Sequence, residues 1–391
     1  MYCIIYLEVN MSDFMFKVPQ ELIFGYNSLE KLPSILSKES IDSVMLISDR
    51  GLEKIGVVKK VSDILMSAGV RVTEFLDVLP DPATEVVDAA VAVYKDCEAQ
   101  ALVALGGGSP MDVAKAVGVQ ARYGGSITEY EGADKVPGEI VPIIAIPTTA
   151  GTGSEVTPFS VITDTSRNYK LTVYSYKILP HFAILDPQLI MTAPAGIAAA
   201  CGIDAMIHAW EAYTSLWANP FSDAMAEKAL ELIGRSIRRF VANRSDLDAA
   251  SDMMTGSNFA GLAFAWARLG NVHAMSHPVS AYFHVPHGVA NAILLPTIVE
   301  YNALADNGRY EKIYNYIHQG RQDRPFVPSM LADEARSLLA ELSLPASLSE
   351  VGVTEDLFEK MADDAMASGN IKVNPRQTTR KDVIDLYRKA F

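Results

Sequence analysis

Apolar runs and helical patterns alternate along the first half of the chain. Four short runs have the composition of buried strands: SVMLIS (43–48), RVTEF (71–75), ALVAL (101–105) and VPIIAIP (141–147). Three segments between them have helical spacing: 52–69, 84–97 and 110–121. Strands that alternate with helices predict a parallel sheet with helical cover, which binds ligands at the carboxyl ends of its strands.

The pattern changes near Thr192, and Pro194 suits the first turn of a helix. Beyond it, the longest segments with helical periodicity are 221–242, 245–270, 329–342 and 378–390. We therefore expect an α/β domain over residues 1–192 and an all-α domain over residues 193–391, with a ligand cleft between them.

Composition narrows the class of protein. The 391 residues carry a net charge of −14, which disfavours nucleic acids and anionic membrane surfaces. Cys3, Cys97 and Cys201 are scattered, as expected of reduced thiols in a cytoplasmic protein. No apolar run approaches the roughly 18 residues of a membrane helix. The opening MYCIIYLEVN has no basic flank, so we expect a lead-in before a start at Met11 or an edge strand, not a signal peptide.

A glycine-rich turn follows the third predicted strand, where ALVAL leads into GGGSPMDVAK. Gly107 and Gly108 allow a ligand to approach the backbone closely. We expect Ser109 to cap the helix, with Pro110 at its first position and Asp112 at its third. Free N–H groups there favour an anion such as pyrophosphate, although a turn without a ligand is the alternative. The turn lacks the GxGxxG pattern, so an ordinary Rossmann dehydrogenase is not implied.

Two further strand ends carry polar groups. PTTAGTGSE (147–155) offers the hydroxyls of Thr148, Thr149 and Thr152. Asp49 follows the first strand, where a carboxylate binds ribose hydroxyls and repels a 2′-phosphate, which favours NAD over NADP. The alternative for Asp49 is a helix cap.

Five of the seven histidines lie between residues 208 and 287. Asp204 and His208 are four residues apart, as are His273 and His277, so each pair lies on one helical face. With His287, one carboxylate and three imidazoles could enclose Fe²⁺, Zn²⁺, Mn²⁺ or Co²⁺, whereas chance positions are the alternative. Because Pro278 disfavours further helix, we expect His277 to turn toward substrate as a proton relay. We assign no role to His284.

Together these residues resemble the iron-containing (group III) alcohol dehydrogenase family along nearly the whole chain. The motifs that carry the resemblance are FKVPQELIFGYNSLEKL, GGGSPMDVAKAVG, PTTAGTGSEVTPFSVITD, LPHFAILDP, GIDAMIHAWEAYTS and HAMSHPVSAYFHVPHGVANAILLP. The resemblance implies a dehydroquinate synthase-like fold, with an α/β dinucleotide-binding domain followed by an all-α metal-binding domain.

The resemblance also implies roles for individual residues. The metal ligands would be Asp204, His208, His273 and His287, most often with Fe²⁺, and His277 would assist proton transfer. The NAD contacts would be Asp49, Gly107, Gly108, Ser109, Asp112, Thr148, Thr149, Thr152 and Lys170. A homodimer or larger oligomer is expected.

The sequence departs from the family around GLAFAWARLGNVHAM. Ala265 and Trp266 replace the usual asparagines, and Arg268 stands where a small residue is common. Arg268 could bind an anionic substrate tail, or it could face solvent on the back of the helix. Phe159 also lies where members of the family vary, so we expect it to shape the substrate pocket.

The favoured function is a metal-dependent, NAD(H)-linked alcohol dehydrogenase that reduces short-chain aldehydes. One alternative is a zinc-dependent polyol dehydrogenase like glycerol dehydrogenase, or a lyase like dehydroquinate synthase, for which few basic residues lie near the ligands. Another is a non-enzymatic nucleotide sensor or scaffold.

Overall fold

A six-stranded, fully parallel sheet organises the first half of the protein. A computed structural model describes residues 18, 21–167, 169–320, 322 and 324–391, so both expectations for MYCIIYLEVN and the start at Met11 lie outside the described residues. The strand order is β1-β9-β6-β4-β2-β3. The strands are β1 (Glu21–Phe24), β2 (Ser43–Ile47), β3 (Arg71–Phe75), β4 (Ala101–Gly106), β5 (Gly132–Ala133), β6 (Ile143–Pro147), β7 (Phe159–Asp164), β8 (Tyr169–Tyr174) and β9 (Phe182–Leu185).

Helices cover the sheet and then build the second half. The first six are α1 (Leu32–Lys38), α2 (Arg50–Lys54), α3 (Val57–Ser67), α4 (Thr84–Cys97), α5 (Gly108–Tyr123) and α6 (Pro187–Ile190). The others are α7 (Ala195–Thr214), α8 (Pro220–Ala242), α9 (Leu247–Ala267), α10 (Asn271–Phe283), α11 (His287–Asn302), α12 (Arg309–Ile317), α13 (Pro328–Glu341), α14 (Phe358–Ala367) and α15 (Arg380–Lys389). The predicted change from α/β to helical architecture is confirmed for the described residues.

Both faces of the parallel sheet are buried. Along β2, Met45 and Ile47 pack with α4 and α5 on one face, whereas Val44 and Leu46 pack with α1 and α3 on the other. Strands of a parallel sheet have continuous apolar sequences because helices cover both faces of the sheet. The runs SVMLIS and ALVAL could therefore be predicted as buried strands.

Two local predictions were wrong. The segment 52–69 is not one helix, because Gly56 adopts a left-handed conformation (φ 82°) and separates α2 from α3. Pro194 is not in the first turn but immediately before α7, as its N-cap. A second sheet, in the order β5-β8-β7, was not predicted, since its strands alternate between buried and half-buried residues and lack a continuous apolar run.

Helix α7 lies at the centre of the helical half, packed against α8, α9 and α11. Its sequence AGIAAACGIDAMIHAWEAYT is rich in alanine, which favours helix, and most of its residues are buried. None of the helices in the described ranges is long and apolar enough to cross a membrane. The helix that carries the first predicted metal ligands is therefore enclosed on several sides and fixed in position.

Candidate metal and nucleotide site

Three helices bring together the side chains predicted as metal ligands. The Asp204 Oδ1 atom on α7 lies 3.8 Å from His208 Nε2, 3.5 Å from His273 Nε2 on α10 and 3.8 Å from His287 Nε2 on α11. Metal bonds of 2.0–2.2 Å in a tetrahedral site separate ligand atoms by about 3.4 Å, so these spacings fit one cation. The ligand atoms of Asp204, His208 and His273 lie within 4.8 Å of one another, and all three residues are buried.

Each of the two innermost imidazoles is oriented through its other nitrogen. His208 Nδ1 lies 3.2 Å from the Gly151 carbonyl oxygen, in the loop after β6. His273 Nδ1 lies 2.7 Å from the Glu211 carboxylate, which also accepts from the backbone N–H of Val272 at 2.7 Å. Such contacts fix which nitrogen faces inward, and both Nε2 atoms are directed toward Asp204.

The carboxylate of Asp204 and two of the three imidazoles have the charges that suit a cation. Burial alone would raise the pKa of Asp204, but the neighbouring imidazoles outweigh it and hold this pKa far below its usual value. Desolvation lowers the pKa of His208 to about 4 and that of His287 to about 3, so both are neutral ligands near neutral pH. Burial opposes protonation of His273 too, but hydrogen bonds with Asp204 and Glu211 raise its pKa to about 9, so a cation would have to displace the proton of this imidazole.

His277 lies at the open side of this cluster. It is exposed, and its ring centroid is 6.3 Å from that of His273 and 5.2 Å from that of His287. The prediction that Pro278 ends the helix was wrong, because α10 continues to Phe283. Tertiary packing around the buried Pro278 outweighs the roughly 3 kcal/mol cost of an internal proline. His284 caps α10 in a left-handed conformation and is exposed.

The polar groups predicted for the nucleotide follow three neighbouring parallel strands. Strands β2, β4 and β6 are adjacent in the sheet, so Asp49, the glycine turn and the loop after β6 meet at one edge. A Cβ on Gly107 would lie 3.2 Å from Thr149 Oγ1, and one on Gly108 would lie 3.0 Å from Thr152 Cγ2. The turn and the threonine loop are thus in direct contact. Thr148 is buried at the start of that loop.

The expected cap of α5 was wrong. Gly107 is the N-cap and α5 begins at Gly108, so Ser109 and Pro110 fall within its first turn and Asp112 beyond it. Gly106 permits this early start with φ 150°, and Pro110 packs so closely on it that a Cβ there would meet the ring at 2.6 Å. Within the described part of the chain, no side chain caps the helix, which leaves its first N–H groups available to an anion.

Asp112 and Asp49 both make structural bonds. Asp112 accepts from Ser154 Oγ at 2.9 Å and from the Val161 N–H at 3.2 Å, so it ties α5 to β7. Asp49 Oδ1 accepts from the Leu52 N–H at 3.0 Å, so the capping role named as its alternative is present. This bond uses one carboxylate oxygen of Asp49.

Lys170 lies on β8 and is paired with a carboxylate. Its Nζ donates to Asp81 Oδ1 at 2.6 Å, and its side chain is largely buried. Burial is the largest cause of the lowered pKa of His287. The neighbouring His273 imidazole and then the positive charge of Lys170 lower it further. Lys170 is therefore close enough to act on the histidine cluster from the α/β half.

Aromatic side chains connect His208 to Arg268. Phe264 stacks on His208 with ring centroids 4.4 Å apart, and Phe159 stacks on Phe264 at 6.0 Å. The Arg268 guanidinium lies 5.3 Å from the Phe159 ring centroid and 4.3 Å from that of Tyr174. Arg268 is half-buried, and its guanidinium lies against these two aromatic rings. Trp266, one of the departures from the family, stacks on Tyr176 at 4.8 Å.

Sequence reasoning missed three residues of this site. Glu211 lies three residues after His208, Asn291 lies four after His287, and Phe264 lies four before Arg268. Each spacing is one helical turn from a residue already singled out. Helical spacing around the predicted ligands would have identified Glu211 and Asn291 as neighbours, and spacing around Arg268 would have identified Phe264.

The fold and site together suit a nucleotide-linked, metal-dependent oxidoreductase. Comparison with known proteins identifies the family. The iron-containing alcohol dehydrogenase model matches residues 19–187, and the model of the C-terminal part of the same family matches residues 198–391. The chain belongs to the iron-containing alcohol dehydrogenase family. It is an oxidoreductase acting on CH–OH groups, which excludes the scaffold alternative.

Individual relatives match over nearly their full length. The 1,3-propanediol dehydrogenase of Citrobacter freundii is 37% identical over 389 residues, covering 98% of this chain and 100% of that protein. The solved alcohol dehydrogenase from Oenococcus oeni superposes with a TM-score of 0.94 at 31% identity, covering 97% of this chain and 100% of that chain. Sulfoacetaldehyde reductase from Bifidobacterium kashiwanohense, solved with NAD⁺, superposes with a TM-score of 0.87 at 29% identity. The match covers 97% of this chain and 98% of that chain. Membership of this family implies a metal and NAD(H).

Proposed function

We propose that the protein is an NAD(H)-linked reductase of short-chain aldehydes, with Fe²⁺ held by Asp204, His208, His273 and His287. The observation that carries this proposal is the single Asp204 oxygen 3.5–3.8 Å from three imidazole nitrogens. All-N/O ligation without thiolate suits Fe²⁺, and it also suits Zn²⁺ or Mn²⁺. The domain division at residues 192/193 and a cytoplasmic homodimer or larger oligomer remain part of this proposal.

The loop after β6 would couple the two halves of the site. Thr149 and Thr152 contact the glycine turn, and the Gly151 carbonyl between them contacts His208 Nδ1. A dinucleotide on the turn would therefore lie against the loop that orients a metal ligand. We assign its pyrophosphate to Gly107, Gly108 and Ser109, with Thr148, Asp112 and Lys170 in supporting positions.

The reaction would proceed between these groups. When bound, the cation polarises the carbonyl oxygen of the aldehyde and the nicotinamide supplies the hydride. His277 would deliver the proton to the product oxygen, since it is exposed and lies one helical turn from His273. Phe264 and Phe159 would exclude water from one side of the reacting carbon.

Metal reconstitution with a substrate panel tests the proposal. The purified protein would be loaded with Fe²⁺ or Zn²⁺ and offered aldehydes, polyols and cyclic phosphates while NADH is followed. Net NADH oxidation with aldehydes is the expected result. Predominant polyol oxidation would favour the glycerol dehydrogenase-like alternative, and turnover without net NADH change would favour the lyase.

Asp49 is the basis for assigning NAD over NADP. Asp49→Asn keeps an oxygen to cap α2 through Leu52 but removes the charge that would oppose a 2′-phosphate. We expect the kcat/KM ratio of NADPH to NADH to rise about tenfold, equivalent to about 1.4 kcal/mol. Steady-state kinetics with both nucleotides measure it. Asp63→Asn, an exposed charge change on α3 where Asp63 pairs with Lys59, should leave the ratio unchanged. An unchanged ratio in Asp49→Asn would remove Asp49 from this role.

We also propose that Arg268 binds an anionic tail on the substrate. Among the described residues no carboxylate forms an ion pair with Arg268, and its guanidinium is half-buried against Phe159 and Tyr174. Phe159 stacks on Phe264, which in turn stacks on the proposed ligand His208. The relative named sulfoacetaldehyde reductase acts, by its name, on an aldehyde with a sulfonate tail.

Arg268→Ala should raise KM for acidic aldehydes far more than for neutral ones. A hydrogen bond to a charged group contributes about 1.5–3 kcal/mol, so we expect an increase of roughly 10- to 100-fold for a carboxylate- or sulfonate-tailed aldehyde. Steady-state kinetics with acidic and neutral aldehydes of equal length measure the difference. Arg268→Lys should recover part of the affinity. Equal effects on both aldehydes would reject the role.

A further inference from the structure

Asn291 lies at the centre of the proposed ligand set although it is not itself among the predicted ligands. It is fully buried on α11, one helical turn after His287. Its Nδ2 atom lies 2.7 Å from Asp204 Oδ1, 3.1 Å from His273 Nε2 and 3.2 Å from His287 Nε2. One amide nitrogen thus contacts three of the four ligand atoms, which come from three different helices.

The orientation of this amide is determined by Asp204. With the amide reversed, Oδ1 would face a carboxylate oxygen at hydrogen-bond distance, and two acceptors there would repel each other. The amide nitrogen must therefore face Asp204. This leaves Oδ1 buried with no hydrogen-bond partner among the described residues. An unpaired buried acceptor costs about 1–3 kcal/mol, so the arrangement is maintained against a local penalty.

We propose that Asn291 is a positioning residue that preorganises the metal site. By donating to Asp204 Oδ1, the amide fixes the direction of the carboxylate and keeps one of its lone pairs engaged, so that the other faces the cation. By contacting Asp204 on α7 and His273 on α10, it also holds the first turn of α11 against both helices before metal binds. This inference rests on the proposed ligand assignment.

Two substitutions separate this role from other uses of the same position. Asn291→Leu keeps the branching of the side chain at Cγ but removes the donor, whereas Asn291→Asp keeps the shape and replaces the donor with an acceptor. Loss of a group that orients a ligand weakens metal binding about 10- to 100-fold, which we expect for both variants. If Asn291 only filled space, the leucine variant would retain wild-type affinity. If Asn291 were itself a ligand, the aspartate variant would bind metal more tightly.

The measurement uses Co²⁺ as the probe and does not depend on turnover. Dissociation constants come from competition with a chelator, and the visible absorption of bound Co²⁺ reports the geometry of its ligands. We expect weaker binding and an altered spectrum in both variants. Wild-type affinity and spectrum in either variant would overturn the inference. Should the leucine variant fail to fold, the aspartate variant still decides the question.

A matched control is available elsewhere in the protein. The Asn258 amide is also buried and donates to a buried carboxylate, that of Glu155, at 2.9 Å. Asn258→Leu should lower thermal stability but leave the Co²⁺ dissociation constant and spectrum unchanged. If wild-type protein binds no Co²⁺, Zn²⁺ or Fe²⁺, the proposed function fails. If wild type binds Co²⁺ and the Asn291 variants bind it equally well, only this inference fails.

Discussion

His273→Ala is expected to lose bound metal and activity together. His273 Nε2 lies 3.5 Å from Asp204 Oδ1, and its ring is fixed by Glu211, so an alanine there removes a preorganised ligand. With three ligands left, affinity should fall by at least 100-fold, and kcat/KM for aldehyde reduction should fall at least 1000-fold, equivalent to about 4 kcal/mol. Metal content per chain by atomic emission and NADH-linked kinetics measure the two quantities.

His277→Ala is the paired comparison on the same helix. His277 is exposed one turn away, and its proposed duty is proton transfer. This variant should keep most of the metal and lose about 10²- to 10⁴-fold in rate, the usual contribution of a general acid or base. Metal retained in His273→Ala, or metal lost to the same degree in both variants, would contradict the division of roles.

Gly288→Ala is expected to disrupt the site without changing any ligand. A Cβ on Gly288 would lie 2.1 Å from the Ala200 carbonyl oxygen and 2.8 Å from its carbonyl carbon, both backbone atoms of α7. Ala200 lies one helical turn before Asp204, and Gly288 follows His287 directly. The first turn of α11 must therefore move away from α7, which carries His287 away from Asp204.

Two measurements test this effect of Gly288→Ala. The free energy of unfolding should fall by about 1–3 kcal/mol, typical of overpacking, and metal affinity should fall with it. Denaturant unfolding and chelator competition measure the two changes. Gly196→Ala is the matched control, since both glycines are second residues of helices and a Cβ on Gly196 meets no atom of the described residues within 4 Å. Equal behaviour of the two variants would show that the α7–α11 contact does not position His287.

Periodicity was enough to predict the coarse architecture. The runs SVMLIS and ALVAL have continuous apolar centres because both faces of β2 and β4 are buried, and this pattern can be recognised without knowledge of the fold. The antiparallel pair β7 and β8 was missed because half-buried residues interrupt its apolar pattern. Local turns were less predictable, since Ser109 is a better cap by propensity but the conformation of Gly106 starts α5 earlier.

The sequence by itself determined the residue types of the site and their helical pairing. Asp204 with His208, and His273 with His277, are four residues apart, and a helix places such pairs on one face whatever surrounds it. Only the tertiary structure decided which atoms converge. Three contacts join segments that are 57 to 87 residues apart in the chain: His208 with the Gly151 carbonyl, His273 with Glu211, and Asn291 with Asp204. Such contacts depend on how helices cross and pack, and that packing is a property of the whole core, which no local pattern encodes.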